Sequence, residues 1–407
     1  MISKDKLIKY FKPTAILYLS NSIGLAFELL LSFVAVRRFS SSSFASLGVF
    51  SSVINIYFQF VTLKFDHKLP YCDQKNDACQ LFVLAIISAF LISLASLFVL
   101  PFLAFIETPS YLISLGAFML GANTALYSLC VFFKDFIGCF LNLPIKNLVN
   151  LLVILFIANE SKNLLIIATI LGLFGANLAM GLRVLPRLRG ASLARSSLIT
   201  KARENAKYPS SVVFGAIFFA LGQNLPGIII PSVFGEENAS FFCNIVRLLS
   251  APITILGISS SQLLLKFCSG QKSKAKIREI ARKFSIFLIL ISALSYGGIY
   301  GFRGFLAKKF IPKGDELSKE LFGILCLYFA FKLVCGVIIA ILPIINEEKL
   351  LRRWQEGLFL FNLLLFLVFK HKRLEFRFYI LALCLGSISL YSLIYILTIK
   401  KSRKRPC

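Results

Sequence analysis

Apolar runs of about 20 residues recur along the whole chain, each long enough to cross the hydrocarbon core of a bilayer. Leu, Ile, Phe and Ala fill these runs from end to end rather than marking one helical stripe. A soluble amphipathic helix would alternate its faces every three or four residues. The chain therefore reads as an all-α polytopic membrane protein. Its composition agrees, at 57% hydrophobic and 16% charged residues over 407 positions, against about 25% charged in soluble domains.

Stretches of low charge place twelve spans at 14–36, 44–63, 81–105, 111–133, 143–158, 164–182, 212–233, 239–265, 284–302, 321–345, 356–370 and 376–399. They fall into two sets of six. The expected organisation is an N-terminal six-helix lobe at 1–182, a basic cytoplasmic linker at 183–211, a C-terminal six-helix lobe at 212–399 and a basic tail at 400–407. The middle of the linker could form an amphipathic surface helix. Lys4, Lys6, Lys9 and Lys12 precede the first run and imitate the start of a secretory leader. That run is too long for a leader, contains Glu28 and is followed by further spans, so it reads as the first crossing.

Most of the 45 lysines and arginines fall before span 1, after spans 2, 4, 6, 8 and 10, and in the C-terminal KKSRKR. The positive-inside rule then puts both termini in the cytoplasm. The net charge of +26 lines one membrane edge, where anionic membrane lipids attract it. It is not gathered on a folded soluble face, which excludes a nucleic-acid partner.

Three correspondences between the two sets suggest an internal repeat. Lys9-Tyr10 and Lys207-Tyr208 introduce spans 1 and 7, Ala45-Ser46 and Ala239-Ser240 open spans 2 and 8, and Leu63-Lys64-Phe65 and Leu265-Lys266-Phe267 end them. The offsets are 198, 194 and 202 residues. Two parallel copies of six helices imply two lobes that rock alternately about a central path.

Three charges lie inside spans: Glu28 in span 1, Arg247 in span 8 and Lys332 in span 10. Each costs about 2.5–3.5 kcal/mol at the centre of a helix on insertion scales, so each should face a cavity or a partner. Arg247 and Lys332 suit an anionic head group. Glu28 suits a coupling ion, H+ or Na+, or serves as their counter-charge. Asn21, Gly24, Glu28 and Ser32 share one face of span 1, and Ser52, Asn55, Gln59 and Thr62 share one face of span 2. Gln223 and Asn224 stand beside Pro226 in span 7. Such amides either meet a polar substrate or tie helices together. Pro226, Pro231, Pro252 and Pro343 should kink or end helical turns. Gly297, Gly298 and Gly301 suggest close helix packing in span 9.

The ten cysteines are scattered and form no CxxC pair. Cys72, Cys79 and His67 match no metal spacing, so no metal and no cofactor is expected. No P-loop, HExxH or nucleophile elbow is present. A polymerase or glycosyltransferase would need a sizeable extramembrane loop, and the longest outer loop, 303–320, has 18 residues. The chain is not expected to be an enzyme.

Several stretches resemble the Wzx-type polysaccharide (O-antigen) flippases of the multidrug/oligosaccharidyl-lipid/polysaccharide exporter superfamily. One is Lys64-Phe65-Asp66 followed by Asp77, Ala78 and Leu81. A second is 247–265, with Arg247, Pro252, Gly257 and Gln262 in matching places. A third is FGEENASFF at 234–242, where Ser240 and Phe242 replace the family's Gly and Tyr. The resemblance implies twelve helices in two lobes around a cationic cavity in the bacterial inner membrane. It implies a cargo of undecaprenyl-diphosphate-linked oligosaccharide, with polysaccharide polymerase machinery as a further partner. Arg247 carries over as the cavity cation. Lys332, Glu28, Asn21, Asn55, Gln59, Gln223 and Asn224 enter from the residues alone. A cation-coupled multidrug exporter of the same superfamily is the main alternative, and a membrane polymerase or a lipid II flippase ranks lower.

Overall fold

The computed structural model describes residues 4–102, 108–157, 161–190, 195–205, 207–269, 273–310, 316–345, 347–372 and 374–401. Residues 311–315 of the longest outer loop and most of the basic tail, 402–407, lie outside this set, as does the side chain of Gln262. All regular structure among the described residues is helical. In chain order it comprises α1 (Lys4–Arg38), α2 (Ser41–Tyr57), α3 (Phe65–Lys68), α4 (Lys75–Val99), α5 (Ser110–Phe132), α6 (Phe136–Phe156), α7 (Leu164–Val184) and α8 (Arg195–Asn205). It continues with α9 (Lys207–Pro252), α10 (Ile258–Ser269), α11 (Lys274–Gly301), α12 (Arg303–Phe310), α13 (Glu316–Ile339), α14 (Glu348–Lys372) and α15 (Phe376–Lys401).

Nine segments among the described residues are long and apolar enough to cross a membrane. One of them, Val213–Gly257, holds two crossings, because α9 breaks at Gly235 with φ 84° and ψ 170°. That backbone region is open essentially to glycine alone. Two more helices complete the set. α2 has 17 residues and continues as tight turns through Lys64, and α14 carries an apolar middle between charged ends. Each of the twelve predicted spans thus coincides with a helix. The outer faces carry the exposure that lipid requires: Phe98 is 69% exposed on α4 and Leu294 79% on α11.

The chain divides into two compact units, Met1–Ser232 and Val233–Cys407. The first unit is built on α6, which packs along α1 and α7. Ser20 donates to the Phe140 carbonyl at 2.7 Å, Asn147 Nδ2 to Gly24 at 2.7 Å, and Arg38 to Ile154 at 2.6 Å. Residue numbers rise together on both helices, so α1 and α6 run parallel. Glycine makes the approach possible. A Cβ at Gly24 would stand 2.5 Å from Leu143 Cγ, and one at Gly172 on α7 would overlap the Lys146 carbonyl oxygen. Apolar side chains of α1, α2, α5, α6 and α7, among them Leu31, Phe50, Ile113, Ile154 and Leu165, complete this core.

In the second unit α13 packs against α11 and α15. Ser292 donates to the Ala330 carbonyl at 3.2 Å, while Gly323 faces Tyr300, so α11 and α13 run antiparallel. Tyr296 donates to the Leu249 carbonyl at 2.9 Å. Phe234 and Phe369 contact Tyr379, and Phe376 contacts Phe234, in tilted and edge-on arrangements. Trp354 on α14 lies 5.1 Å from the Tyr391 ring on α15 and donates to the Leu390 carbonyl at 3.1 Å.

Three expectations change. α6 starts at Phe136 rather than 143, because Asp135 anchors the preceding turn through Arg183. Lys146, already inside the predicted span 143–158, is well within this helix and is a charge that the three named above leave out. Gly297, Gly298 and Gly301 meet no described atom within 4 Å of an added Cβ and are exposed, so they do not mark close packing. α11 starts at Lys274, two to three turns before the predicted 284, since its first turns are basic and extend past the apolar run.

Candidate functional site

The structure brings some of the expected site residues together within each unit. In the first unit Asn55 Nδ2 of α2 donates to Asn224 Oδ1 of α9 at 3.3 Å, and Asn224 Nδ2 returns to the Ala220 carbonyl at 2.9 Å. Asn55 is nonetheless exposed, so one side of this amide pair stays open to a further partner. The pair can form because α2 and α9 approach closely at Gly227, where any Cβ would collide with the Ser52 side chain. Gln223, one position earlier, is half-buried.

Gln59 is engaged locally. Its Oε1 accepts from the Lys64 ammonium at 3.1 Å. Lys64 also reaches His67 Nε2 at 3.5 Å and lies 5.3 Å from the centre of the Phe58 ring. Asp66 accepts from the Thr62 hydroxyl at 2.5 Å. The Lys64-Phe65-Asp66 stretch thus builds a folded polar turn, with Lys64 only 3% and Asp66 5% exposed.

Asn21 and Glu28 are half-buried on α1. Their face includes Gly24, where α6 packs. The parallel register sets Glu28 level with residues 148–151 of α6, one turn past the Asn147–Gly24 bond.

The second unit holds Arg247 and Lys332. Arg247 is half-buried on the part of α9 beyond Gly235. A turn of π-helix at Ile253–Gly257 follows Pro252, as expected where proline removes a backbone donor. Lys332 Nζ lies 5.8 Å from the Tyr328 ring centre and 5.4 Å from that of Phe329, within reach of cation–π attraction. Among the described residues no carboxylate pairs with it.

Sequence reasoning missed a polar centre on α6. Asn142, Lys146 and Asn150 recur every fourth residue, with Asn147 alongside. Asn123 of α5 donates at 2.9 Å to both Asn142 of α6 and Asn177 of α7, and Asn177 donates to the Met119 carbonyl at 2.9 Å. Three helices are thereby tied by carboxamides. The spacing was the available signal, and the predicted start of span 5 at 143 left only Asn142 outside it.

A second missed feature is the clamp beneath the α5–α6 turn. Asp135, 6% exposed, accepts two bonds of 2.9 Å from the Arg183 guanidinium, with Arg187 at 3.8 Å. The Arg183 bonds hold its carboxyl below the usual carboxylate range against the opposing effect of burial. In the linker, Lys201 of α8 pairs with Asp77 at the start of α4 at 2.8 Å, and Lys75 of α4 donates at 2.9 Å to the carbonyl of Arg189, which precedes α8. No group of three His, Cys, Asp or Glu able to hold a metal occurs among the described residues.

No family model and no curated protein matches the chain. Solved structures do. An inward-facing multidrug-resistance MATE family transporter of the MOP superfamily aligns with TM-score 0.72 and 15% identity, over 97% of this chain and all of the other. An outward-facing MATE transporter of that superfamily aligns at 0.67 and 14%, over 97% of each chain. A MOP superfamily transporter from Pyrococcus furiosus, described by the reverse polarity of its binding pocket as suggesting a different function, aligns at 0.69 and 14%, again over 97% of each. At these identities the likeness concerns architecture, and the chain is a multi-pass membrane protein with the twelve-helix, two-lobe fold of the MOP superfamily transporters.

Proposed function

We propose that the protein is an alternating-access exporter of an anionic amphiphile, a lipid-diphosphate-linked oligosaccharide. The full-length fold match to transporters solved facing inward and facing outward carries the transport part of this reading. The cargo part rests on charge. Arg247 and Lys332 are in-span cations, and Lys332 leans on aromatic rings rather than a carboxylate. Both can meet a diphosphate as hydrogen-bond donors of opposite charge. Asn21, Asn55, Gln59, Gln223 and Asn224 supply amides for sugar hydroxyls, and Glu28 is the candidate for ion coupling. The expected setting is a bacterial inner membrane with both termini inside.

The names of the structural neighbours support multidrug export more directly than any lipid cargo, and that is the reading to beat. Fold alone does not select cargo, and the Pyrococcus neighbour's description makes pocket polarity the discriminating property within this architecture. A pocket for cationic drugs would favour acidic residues, of which Glu28 is the one in-span example.

Arg247→Ala in the host cell separates the two. Loss of surface polysaccharide at unchanged protein level, with unchanged drug tolerance, supports the lipid cargo. Normal polysaccharide with a fall in drug tolerance removes that cargo and installs the exporter.

A further inference from the structure

The turns after α2 hold a buried cluster of which the transport reading uses Gln59 alone. From Tyr57 onward the backbone closes short-range bonds, with Gln59 to Ile56, Phe60 to Tyr57, Leu63 to Phe60 and Phe65 to Thr62 at 2.8–3.1 Å. Leu63 and Lys64 have φ 49° and 59°, and this left-handed region costs an ordinary residue about 1–2 kcal/mol. Two consecutive strained residues persist only where surrounding contacts over-determine them. Those contacts are the Lys64 ammonium on Gln59 Oε1 and His67 Nε2, and Asp66 on Thr62.

His67 is the adjustable member. Its side chain is 50% exposed while Asp66 is buried. A neutral imidazole can accept at Nε2, but an imidazolium has only donors. Protonated His67 would thus lose the Lys64 bond and face a like charge at 3.5 Å. The same Nε2 lies 3.9 Å from Asp66 Oδ2, so a small rotation exchanges one partner for the other. We propose that residues 58–68 form a proton-operated latch, closed while His67 accepts from Lys64 and released when protonated His67 turns to Asp66.

The electrostatics have the required sign. Burial lowers the proton affinity of His67, Asp66 raises it and Lys64 lowers it, leaving it below the ordinary value of 6.5. The unfolded turn therefore binds the proton more readily than the closed one. The stabilisation is complete above about pH 6.5 and is lost as pH falls through the lower native value. From α4 and α5, which pack against this segment, the titratable groups are Lys75, Asp77, Cys79, Tyr127 and Cys130, with Lys68 inside the segment and Cys72 just beyond it. The charges that shift the imidazole are those of Asp66 and Lys64. The chain has two histidines, and the other, His371, belongs to the second unit.

Hydrogen–deuterium exchange of the purified full-length protein tests the latch. After correction for intrinsic rates, amides of 58–68 in the wild type should exchange faster at pH 5 than at pH 7.5. His67→Gln keeps an acceptor without titrating, and its exchange should be the same at both values. Lys64→Met should exchange fast at both. A flat wild-type profile overturns the proposal, and so does the same acid response in His67→Gln. Should Lys64→Met fail to fold, the comparison of wild type with His67→Gln decides alone.

Discussion

The two units solve the same problem, stacking apolar helices without water, by different means. In the first unit, side chains reach across to the backbone of a neighbouring helix. Asn147 binds Gly24, Arg38 binds Ile154, and Asn123 ties α5 to α6 and α7. Glycines let those backbones approach. In the second unit Ser292, Tyr296 and Trp354 also reach neighbouring backbones, but rings do more of the packing: Phe234, Phe369, Phe376 and Tyr379 form one cluster, and Trp354, Tyr391 and Tyr328 form another. The difference concerns tolerance. A backbone-to-backbone approach has no soft atoms to move, whereas an aromatic cluster can repack.

The sharpest way to break this contrast is Gly172→Leu. Its side chain would meet the Lys146 backbone, and the expected loss is about 3 kcal/mol, read as a large fall in apparent Tm in detergent. An unchanged Tm would mean that α6 and α7 are not rigidly held. Next in size is Asp135→Ala, which leaves two guanidiniums without their shared carboxylate. Because Arg183 is 35% exposed, about 2 kcal/mol is expected rather than the full cost of breaking a buried pair. The native carboxyl titrates below its ordinary range. The wild-type contribution is therefore complete above about pH 4 and disappears as pH falls through the depressed value, so the Tm gap between wild type and variant should close in strong acid. Asn147→Leu removes the bond to Gly24 and should cost about 1 kcal/mol. A loss as large as that of Gly172→Leu would show that hydrogen bonding, not close approach, holds α1 to α6. The smallest effect belongs to Gly298→Ala in the second unit. Nothing described lies near the added methyl, and replacing a helical glycine should stabilise by about 0.5 kcal/mol. A fall in Tm there would reveal a contact that the described residues do not show.

Helix number was legible because a span is a simple object, an apolar run of set length. Glu28, Arg247 and Lys332 were legible as rare charges in such runs. Asn55 and Asn224 were visible singly, but their pairing depends on the close approach at Gly227, to which no local pattern points. Lys146 lay within predicted span 5 and was overlooked as a charge, whereas Asn142 fell outside because α6 begins with Phe136 and Ile137, which read as loop beside Lys134 and Asp135. The glycine cluster at 297–301 misled because glycine composition reports the possibility of close packing and not its presence. The Asp135 clamp joins positions 48 residues apart, beyond any periodicity argument.

Trp354 has a practical consequence. It is the sole tryptophan of the chain, it is 8% exposed, and it rests on Tyr391 in the second unit. Its fluorescence therefore observes one half of the molecule, whereas circular dichroism sums helices from both. A denaturant series followed by both signals would show whether the halves melt as one cooperative body or in sequence, with no label added.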